Sequence, residues 1–322
     1  MRGGAIGIML GMIARRLAVT LVTLFLVSMV VFTISSLLPG DAAEETLGQN
    51  ATPEAVAALR AKLGLDQPPH SRYLSWLGGL VTGDLGQSMA NNLPVGDLIA
   101  SRLPKSLLLA GLVAAVSVPV ALFIGILSAM YRGSRLDRAL SILTLSIVAV
   151  PEFLVATIAV VIFAVELRWL PSLVLVPPDP TVGEFLRAYA MPVMALCFVV
   201  IAQMARMTRA AVIEQLDQPY VEMAVLKGVG ATRLVLTHIL PNALGPIINA
   251  VALSLSYLLG GAIIVETIFN YPGIASLMVD AVTSRDMPLL QACSMIFCGV
   301  YLLLVLTADV LAILANPRLR NQ

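Results

Sequence analysis

Residues 218–242 read QPYVEMAVLKGVGATRLVLTHILPN, and this stretch decides how the rest of the chain is interpreted. It carries charged or titratable side chains at Glu222, Lys227, Arg233 and His238. The runs on both sides of it are apolar and long enough to cross a bilayer, for which a helix needs about 20 residues. The stretch therefore predicts a short polar connection between two membrane spans.

The composition of the chain is that of a membrane protein. Of 322 residues, 59% are hydrophobic and only 12% are charged, and the mean hydropathy is +0.93. A soluble protein has about 25% charged residues, so lipid must be the second solvent here. The net charge of +1 gives no reason to expect nucleic-acid binding. The three cysteines lie in apolar runs without a CxxC or Cys/His cluster, which predicts buried thiols and no metal site.

Six apolar runs lie between charged positions and predict an all-α integral membrane protein with six transmembrane helices. The third run is interrupted by Pro151 and Glu152. The first is too long for the core of a signal peptide, about 7–15 residues, and no small-x-small cleavage pattern follows it. The runs cover residues 17–38, 106–131, 139–165, 188–205, 242–265 and 288–308.

The arginines predict the orientation. The tight loop YRGSRLDR, residues 131–138, contains three of them, and positive loops stay in the cytoplasm. Six spans then place the N- and C-termini in the cytoplasm. The predicted organisation is a tail and first span over residues 1–38, an external segment with short helices over 39–105, and a five-helix core over 106–322.

Short helices are predicted outside the spans. In residues 52–64, Thr52 is the expected N-cap, Pro53 opens the helix and Gly64 stops it. In the long internal loop, Pro219 is suited to the first position of a helix. The residues that then share one face at helical spacing are Val221, Ala224, Val225 and Gly228.

Gly228 and Gly230 next permit a tight turn, after which residues 231–240 resume as helix into the fifth span. With one glutamate and one lysine, the first helix is a poor anchor for anionic lipid. A groove on a soluble partner suits it better.

Polar residues inside the spans are candidates for a translocation pathway. Glu152 follows Pro151 within the third run, and intramembrane acids are by default functional. On the fifth span Asn249, Ser256 and Tyr257 are candidates, although small residues such as Gly260 and Gly261 also permit close helix packing. Asp309 is expected at the interface or paired with Arg318.

The motifs resemble a known family. Glu222-x-Ala224-x3-Gly228 followed by Leu240-Pro241 is similar to the "EAA…G…LP" motif of permease subunits of binding-protein-dependent ABC importers. Met223 and His238 depart from its usual residues. The chain further resembles the first permease of the dipeptide/oligopeptide/nickel group, with departures at Lys105, Thr307 and Asn316. The shared blocks are LLPGDAA, LGLDQPPHSRYLSWLGGLVTGDLGQS, RLPKSLLLA, HILPNALGP, VETIFNYPGIASLMVDAVTSRDMPLLQA and NPRLR.

The resemblance implies a type I importer fold in the inner membrane of a prokaryote. It makes residues 219–237 a coupling helix that docks into a cleft of a cytoplasmic ATPase, and residues 271–288 an external re-entrant scoop. The implied partners are a second homologous permease, two ATPase subunits or domains, and an extracytoplasmic substrate-binding protein. The implied docking residues are Tyr220, Glu222, Ala224, Gly228, Leu240 and Pro241.

The chain has no GxxxxGK[ST] pattern, so ATP and Mg²⁺ are expected on the partner subunits and no cofactor on this chain. Two other classes compete with the importer subunit. A self-sufficient proton-coupled transporter would use Glu152 and Glu266, and a membrane enzyme would need a pattern such as HExxH or GxSxG, which is missing. The substrate stays open among dipeptides, oligopeptides, glutathione-like compounds, opines and nickel chelates.

Overall fold

A computed structural model describes residues 2–37, 52–62 and 66–315, and these residues are helical with short connections. The longest helices are α1, Arg2–Ser36; α4, Val95–Met130; α7, Val182–Leu216; α9, Ala231–Ile268; and α11, Met287–Ala315. The shorter helices are α2, Pro53–Lys62; α3, Pro69–Thr82; α5, Arg135–Val148; α6, Glu152–Glu166; α8, Pro219–Leu226; and α10, Ile274–Thr283.

The five longest helices are each long and apolar enough to cross a membrane, and α5 with α6 makes a sixth span if the bent pair is counted as one. The two halves of that pair meet at an angle of 94°. Pro151 lies at the break, where its ring disfavours helical geometry for Val150. The prediction of an all-α membrane protein with six spans, the third interrupted at Pro151, is confirmed. The orientation of the termini stays a prediction.

The helices extend beyond the apolar runs. The helix α4 begins at Val95 rather than at residue 106, and it carries Pro104 within its length. The helix α7 begins at Val182 with a capping box, in which Thr181 and Glu184 exchange hydrogen bonds with each other's backbone. An apolar run predicts only the segment of a helix that lies within the lipid. The end turns of these helices carry charged residues, so the apolar runs do not include them.

The chain divides into two compact units, of which the first comprises residues 1–20, 108–271 and 301–322. Its main core is formed by α4, α7 and α9, with α6 packed against it. At one crossing, a Cβ on Gly125 of α4 would lie 2.6 Å from the carbonyl oxygen of Ala205 on α7, so only glycine permits this approach. Asp309 pairs with Arg16 at 3.1 Å. Arg318, the other partner expected for Asp309, lies outside the described residues.

The second unit comprises residues 21–107 and 272–300. Its core contains Leu277 and Ala281 of α10 together with residues of α4 and α11. In α2, the hydroxyl of Thr52 accepts from the backbone N–H of Ala55 at 3.2 Å, which confirms the predicted N-cap. Gly64, the predicted stop, lies outside the described residues. Within residues 271–288, the helix α10 follows Gly273. The external position of this segment and the domain boundaries at residues 38 and 105 stay predictions.

Candidate functional site

The connection between α7 and α9 has the predicted form of a helix, a glycine turn and a second helix. The helix α8 begins at Pro219 and ends at Leu226. Gly228 follows with φ of +79°, a conformation that L-residues with a side chain rarely adopt. Gly230 has an ordinary φ of −63°, so only the first glycine is required by backbone geometry. The backbone N–H of Gly228 closes the turn on the carbonyl of Val225 at 2.9 Å.

One face of α8 is anchored to the chain's own core. Val221 and Ala224 are buried, and they pack in a cluster with Val212 of α7 and with Ile239 and Ala243 of α9. Val225 was predicted from helical spacing to share this face, but the residue is 55% exposed and lies outside the buried cluster. A helix of eight residues makes about two turns, so its buried face contains only two residues.

The other face of α8 presents apolar side chains outward. Met223 is 54% exposed and Leu226 is 75% exposed. The charged Glu222 lies among them, also exposed. We name this face the α8 surface and define it as Tyr220, Glu222, Met223, Val225 and Leu226. Large exposed apolar side chains that cluster in this way mark an interaction site.

Tyr220 is the least exposed member of the α8 surface. Its hydroxyl donates to Oε1 of Gln215 on α7 at 3.2 Å. Burial raises the pKa of the Tyr220 phenol, more than a hydrogen bond with Asn242 lowers it. The phenol is therefore neutral at physiological pH and holds α8 against the end of α7.

The predicted residues Leu240 and Pro241 lie further along, and both are half-buried in α9. Residues Val235–Ile239 form a π-helical turn just before them. Pro241 has no N–H to donate to the carbonyl four residues earlier, which loosens the helix at this point. The structure thus holds five of the six predicted docking residues on or close to α8 and α9, with Gly228 in the turn between. Their docking role stays a prediction.

The predicted pathway residues do not share one surface. Glu152 is half-buried at the first turn of α6, and a Cβ on Gly261 of α9 would lie 3.0 Å from its Cδ. Gly261 therefore allows α6 and α9 to pack closely at the carboxyl group. On α9, Ser256 is buried and donates to the carbonyl of Ala252 at 2.8 Å, whereas Asn249 and Tyr257 are exposed. A role of these residues in translocation stays a prediction.

The sequence analysis missed an ion pair in which the carboxylate is buried and the arginine is partly exposed. Asp137 at the start of α5 is 4% exposed and accepts from Nε and Nη2 of Arg209 on α7 at 2.7 and 2.8 Å. Ser128 Oγ donates to it at 2.6 Å and the backbone N–H of Gly133 at 2.9 Å. The loop had been used only to predict orientation. An acid among three arginines was the available signal, but its partner lies 72 positions away.

A second pair of the same loop lies at the surface. Arg132 donates to Asp217 at 2.7 Å, and both side chains are more than half exposed. Asp217 is the C-cap of α7, one residue before the N-cap of α8. The two pairs join the α4–α5 turn to the end of α7 from which α8 departs.

These features define a class: a multi-pass helical membrane protein whose connection between α7 and α9 presents an anchored helix with an apolar outer face. Comparison with known proteins identifies the family. The chain belongs to the family described as binding-protein-dependent transport system inner membrane component, whose model matches residues 121–321. The N-terminal model described for membrane components of the same transport systems matches residues 9–110.

The chain is similar to curated proteins over nearly its whole length. A putative peptide transport system permease protein of Brucella abortus is 37% identical over 313 residues, which cover 97% of this chain and 99% of the relative. The glutathione transport system permease protein of Escherichia coli K12 matches with the same identity and coverage. The chain is therefore a translocation subunit of an ABC importer in the inner membrane. The alternative of a self-sufficient proton-coupled transporter is not supported.

Proposed function

We propose that this chain forms half of the pathway of an ATP-driven importer and that α8 is the element that docks on the ATPase. A second homologous permease supplies the other half, two ATPase subunits or domains bind ATP and Mg²⁺, and an extracytoplasmic binding protein delivers the substrate. The chain itself is non-catalytic. The observation that carries this proposal is the α8 surface, which is apolar and exposed on a helix whose opposite face is buried.

The packing of α8 suits it to transmit movement. Val221 and Ala224 fix it to α7 and α9 in one cluster, so a force on the outer face displaces the ends of both helices. Shifting a two-state population from 1:99 to 99:1 requires about 5.5 kcal/mol of differential binding, and a partner that binds and hydrolyses ATP can supply this in every cycle. In this arrangement Ala224 is an anchor on the chain's own core, and Glu222 with the exposed apolar residues meets the ATPase.

The substrate we propose is a peptide or a glutathione-like small solute. The support is the names of relatives that match 97% of this chain. At 37% identity the pathway residues can differ, so the ligand carried by the binding protein that co-purifies with the chain decides the substrate.

Gly228→Val tests the docking proposal. A side chain at positive φ costs about 1–2 kcal/mol, and within this chain an added Cβ meets nothing within 4 Å. The spans are untouched, so we expect normal membrane expression, with loss of the co-purifying ATPase or hydrolysis that no longer drives uptake. Gly230→Val is the matched control, because it lies in the same turn with an ordinary φ and equal room.

Glu222→Lys tests the charge of the α8 surface in the same assays. Glu214→Lys is its control, since Glu214 is also exposed but lies on α7 outside the α8 surface. Normal ATPase retention and normal uptake in both Gly228→Val and Glu222→Lys would contradict docking through α8. Robust ATP hydrolysis by the isolated chain would contradict the subunit assignment as a whole.

A further inference from the structure

A cavity of about 200 Å³ lies between α4, α5 and α7, and none of the functions proposed above uses it. Most of its wall is apolar. The remainder is formed by hydroxyl groups and by two arginines of α7. The lining residues are Ile124, Gly125, Ser128, Leu140, Ser141, Thr144, Leu145, Ala205, Arg206 and Arg209.

The two arginines keep hydrogen-bonding capacity that the described residues do not use. Nε and Nη2 of Arg209 donate hydrogen bonds to Asp137, and Nη1 has no hydrogen-bond partner among the described residues. Arg206 is exposed, and its guanidinium donates to Gln203 Oε1 at 3.3 Å without an acidic partner in the described part of the chain. The polar end of the cavity is therefore positively charged.

The polar end lies close to the loop between α4 and α5, which is predicted to be cytoplasmic. The turn after α4 and the N-cap of α5 at Ser134 are only a few residues away along the chain. From Asp137, α5 continues for about 12 Å to Leu145 at 1.5 Å per residue, which takes the cavity wall away from this loop.

We propose that this cavity holds the phosphate and the adjoining part of one acyl chain of an anionic phospholipid whose remainder lies in the bilayer, with the phosphate on Arg206 and Nη1 of Arg209 and the chain along Ile124, Leu140 and Leu145. Arginine matches phosphate geometry with paired donors, and basic pockets between transmembrane helices are known sites for anionic headgroups. A free anion would not need the apolar wall, and a zwitterionic lipid would gain less from the arginines. The bound lipid would wedge α5 and α7 beside the Asp137–Arg209 pair.

The test measures lipid retention by the full chain, purified with whichever subunits stay bound. The protein is reconstituted in nanodiscs of phosphatidylcholine and phosphatidylglycerol, delipidated in detergent, and analysed by native mass spectrometry. We expect the wild type to retain phosphatidylglycerol. We expect Arg206→Gln to retain about fivefold less, since one arginine at an anionic surface is worth about 1 kcal/mol.

A second variant addresses the apolar wall. Thr144 donates only to carbonyls of its own helix, so Thr144→Leu leaves no partner unpaired while it fills the cavity. We expect this variant to lose retention as well. Arg15→Gln, an exposed arginine on α1, is the control and should retain lipid as the wild type does.

Two results would overturn the proposal. The first is retention that is unchanged in both Arg206→Gln and Thr144→Leu, or equal for phosphatidylcholine and phosphatidylglycerol. The second is a disulfide bond between the cysteine introduced by Leu145→Cys and a cysteine introduced in a second permease. That bond would make the cavity part of a subunit interface.

Discussion

Two short helices flank α9 along the chain, and they differ in whether their apolar residues are buried or exposed. The helix α8 has eight residues, of which Val221 and Ala224 are buried, while four large hydrophobic side chains stay exposed. The helix α10 has ten residues, and it buries Ile274, Ala275, Leu277 and Ala281. Its one large exposed hydrophobic residue is Val282.

The difference shows what each helix is built for. The apolar residues of α10 complete the core of the second unit, together with residues of α4 and α11. Those on the α8 surface complete nothing within the described chain, and a water-exposed helix gains no stability from them. Apolar content therefore marks structure in α10 and a partner surface in α8.

The largest expected effect comes from truncating the same residue type in both helices. Leu277→Ala removes a buried side chain from α10, and such changes cost about 2–5 kcal/mol. Leu226→Ala on α8 should change the free energy of unfolding by less than about 0.5 kcal/mol, because the side chain is exposed. Thermal unfolding can be followed with a thiol-reactive dye, since Cys197 and Cys293 are buried in the folded chain.

Leu226→Ala should instead weaken ATPase retention, which Leu277→Ala should not do in the fraction that folds. Equal destabilisation by the two variants would mean that α8 is as much a part of the core as α10.

Much of this contrast was predictable from local sequence. Pro219 and Gly228 mark the limits of α8, and Pro272 with Gly273 marks the start of α10, because proline and glycine act on the backbone of their own residues. The six spans were also predictable from local sequence, because a helix that crosses the membrane needs about 20 apolar residues in a row.

What the sequence did not reveal depends on contacts between distant residues. The Asp137–Arg209 pair, the pairing of Asp309 with Arg16 and the exposure of Val225 each depend on how helices pack. Helical spacing placed Val225 on the anchored face. The spacing gives the angle at which each side chain leaves the helix. It does not predict which of those side chains the neighbouring helices bury.

A smaller effect is expected where α10 leads into α11. Asp286 is fully buried, accepts from the hydroxyl of Ser88, and caps α11 through the backbone N–H of Leu289 at 3.3 Å. Asp286→Ala leaves these donors buried without a partner, which costs about 1–3 kcal/mol. Asp280→Ala, an exposed aspartate of α10, is the control and should be close to neutral. A neutral Asp286→Ala in the thermal assay would show that the cap adds nothing to the second unit.

The smallest effect is expected at the surface pair that precedes α8. Arg132 and Asp217 are 52% and 60% exposed, and exposed pairs contribute about 0.2–1 kcal/mol. A double-mutant cycle with Arg132→Gln and Asp217→Asn should give a coupling energy in that range at low salt, and less at 0.5 M salt because exposed charges are screened.

The corresponding cycle at Asp137 and Arg209 sharpens the result. Asp137 is buried in that pair and Arg209 is partly shielded, so the coupling energy there should be larger and less sensitive to salt. If the Arg132–Asp217 pair coupled as strongly as the buried one, the start of α8 would be rigidly fixed from both sides. The chain would then resist the displacement that an ATPase must impose on it. Weak coupling at this pair leaves Val221 and Ala224 as the main attachment of α8, so that the helix can follow its partner while the Asp137–Arg209 contact between α5 and α7 stays intact.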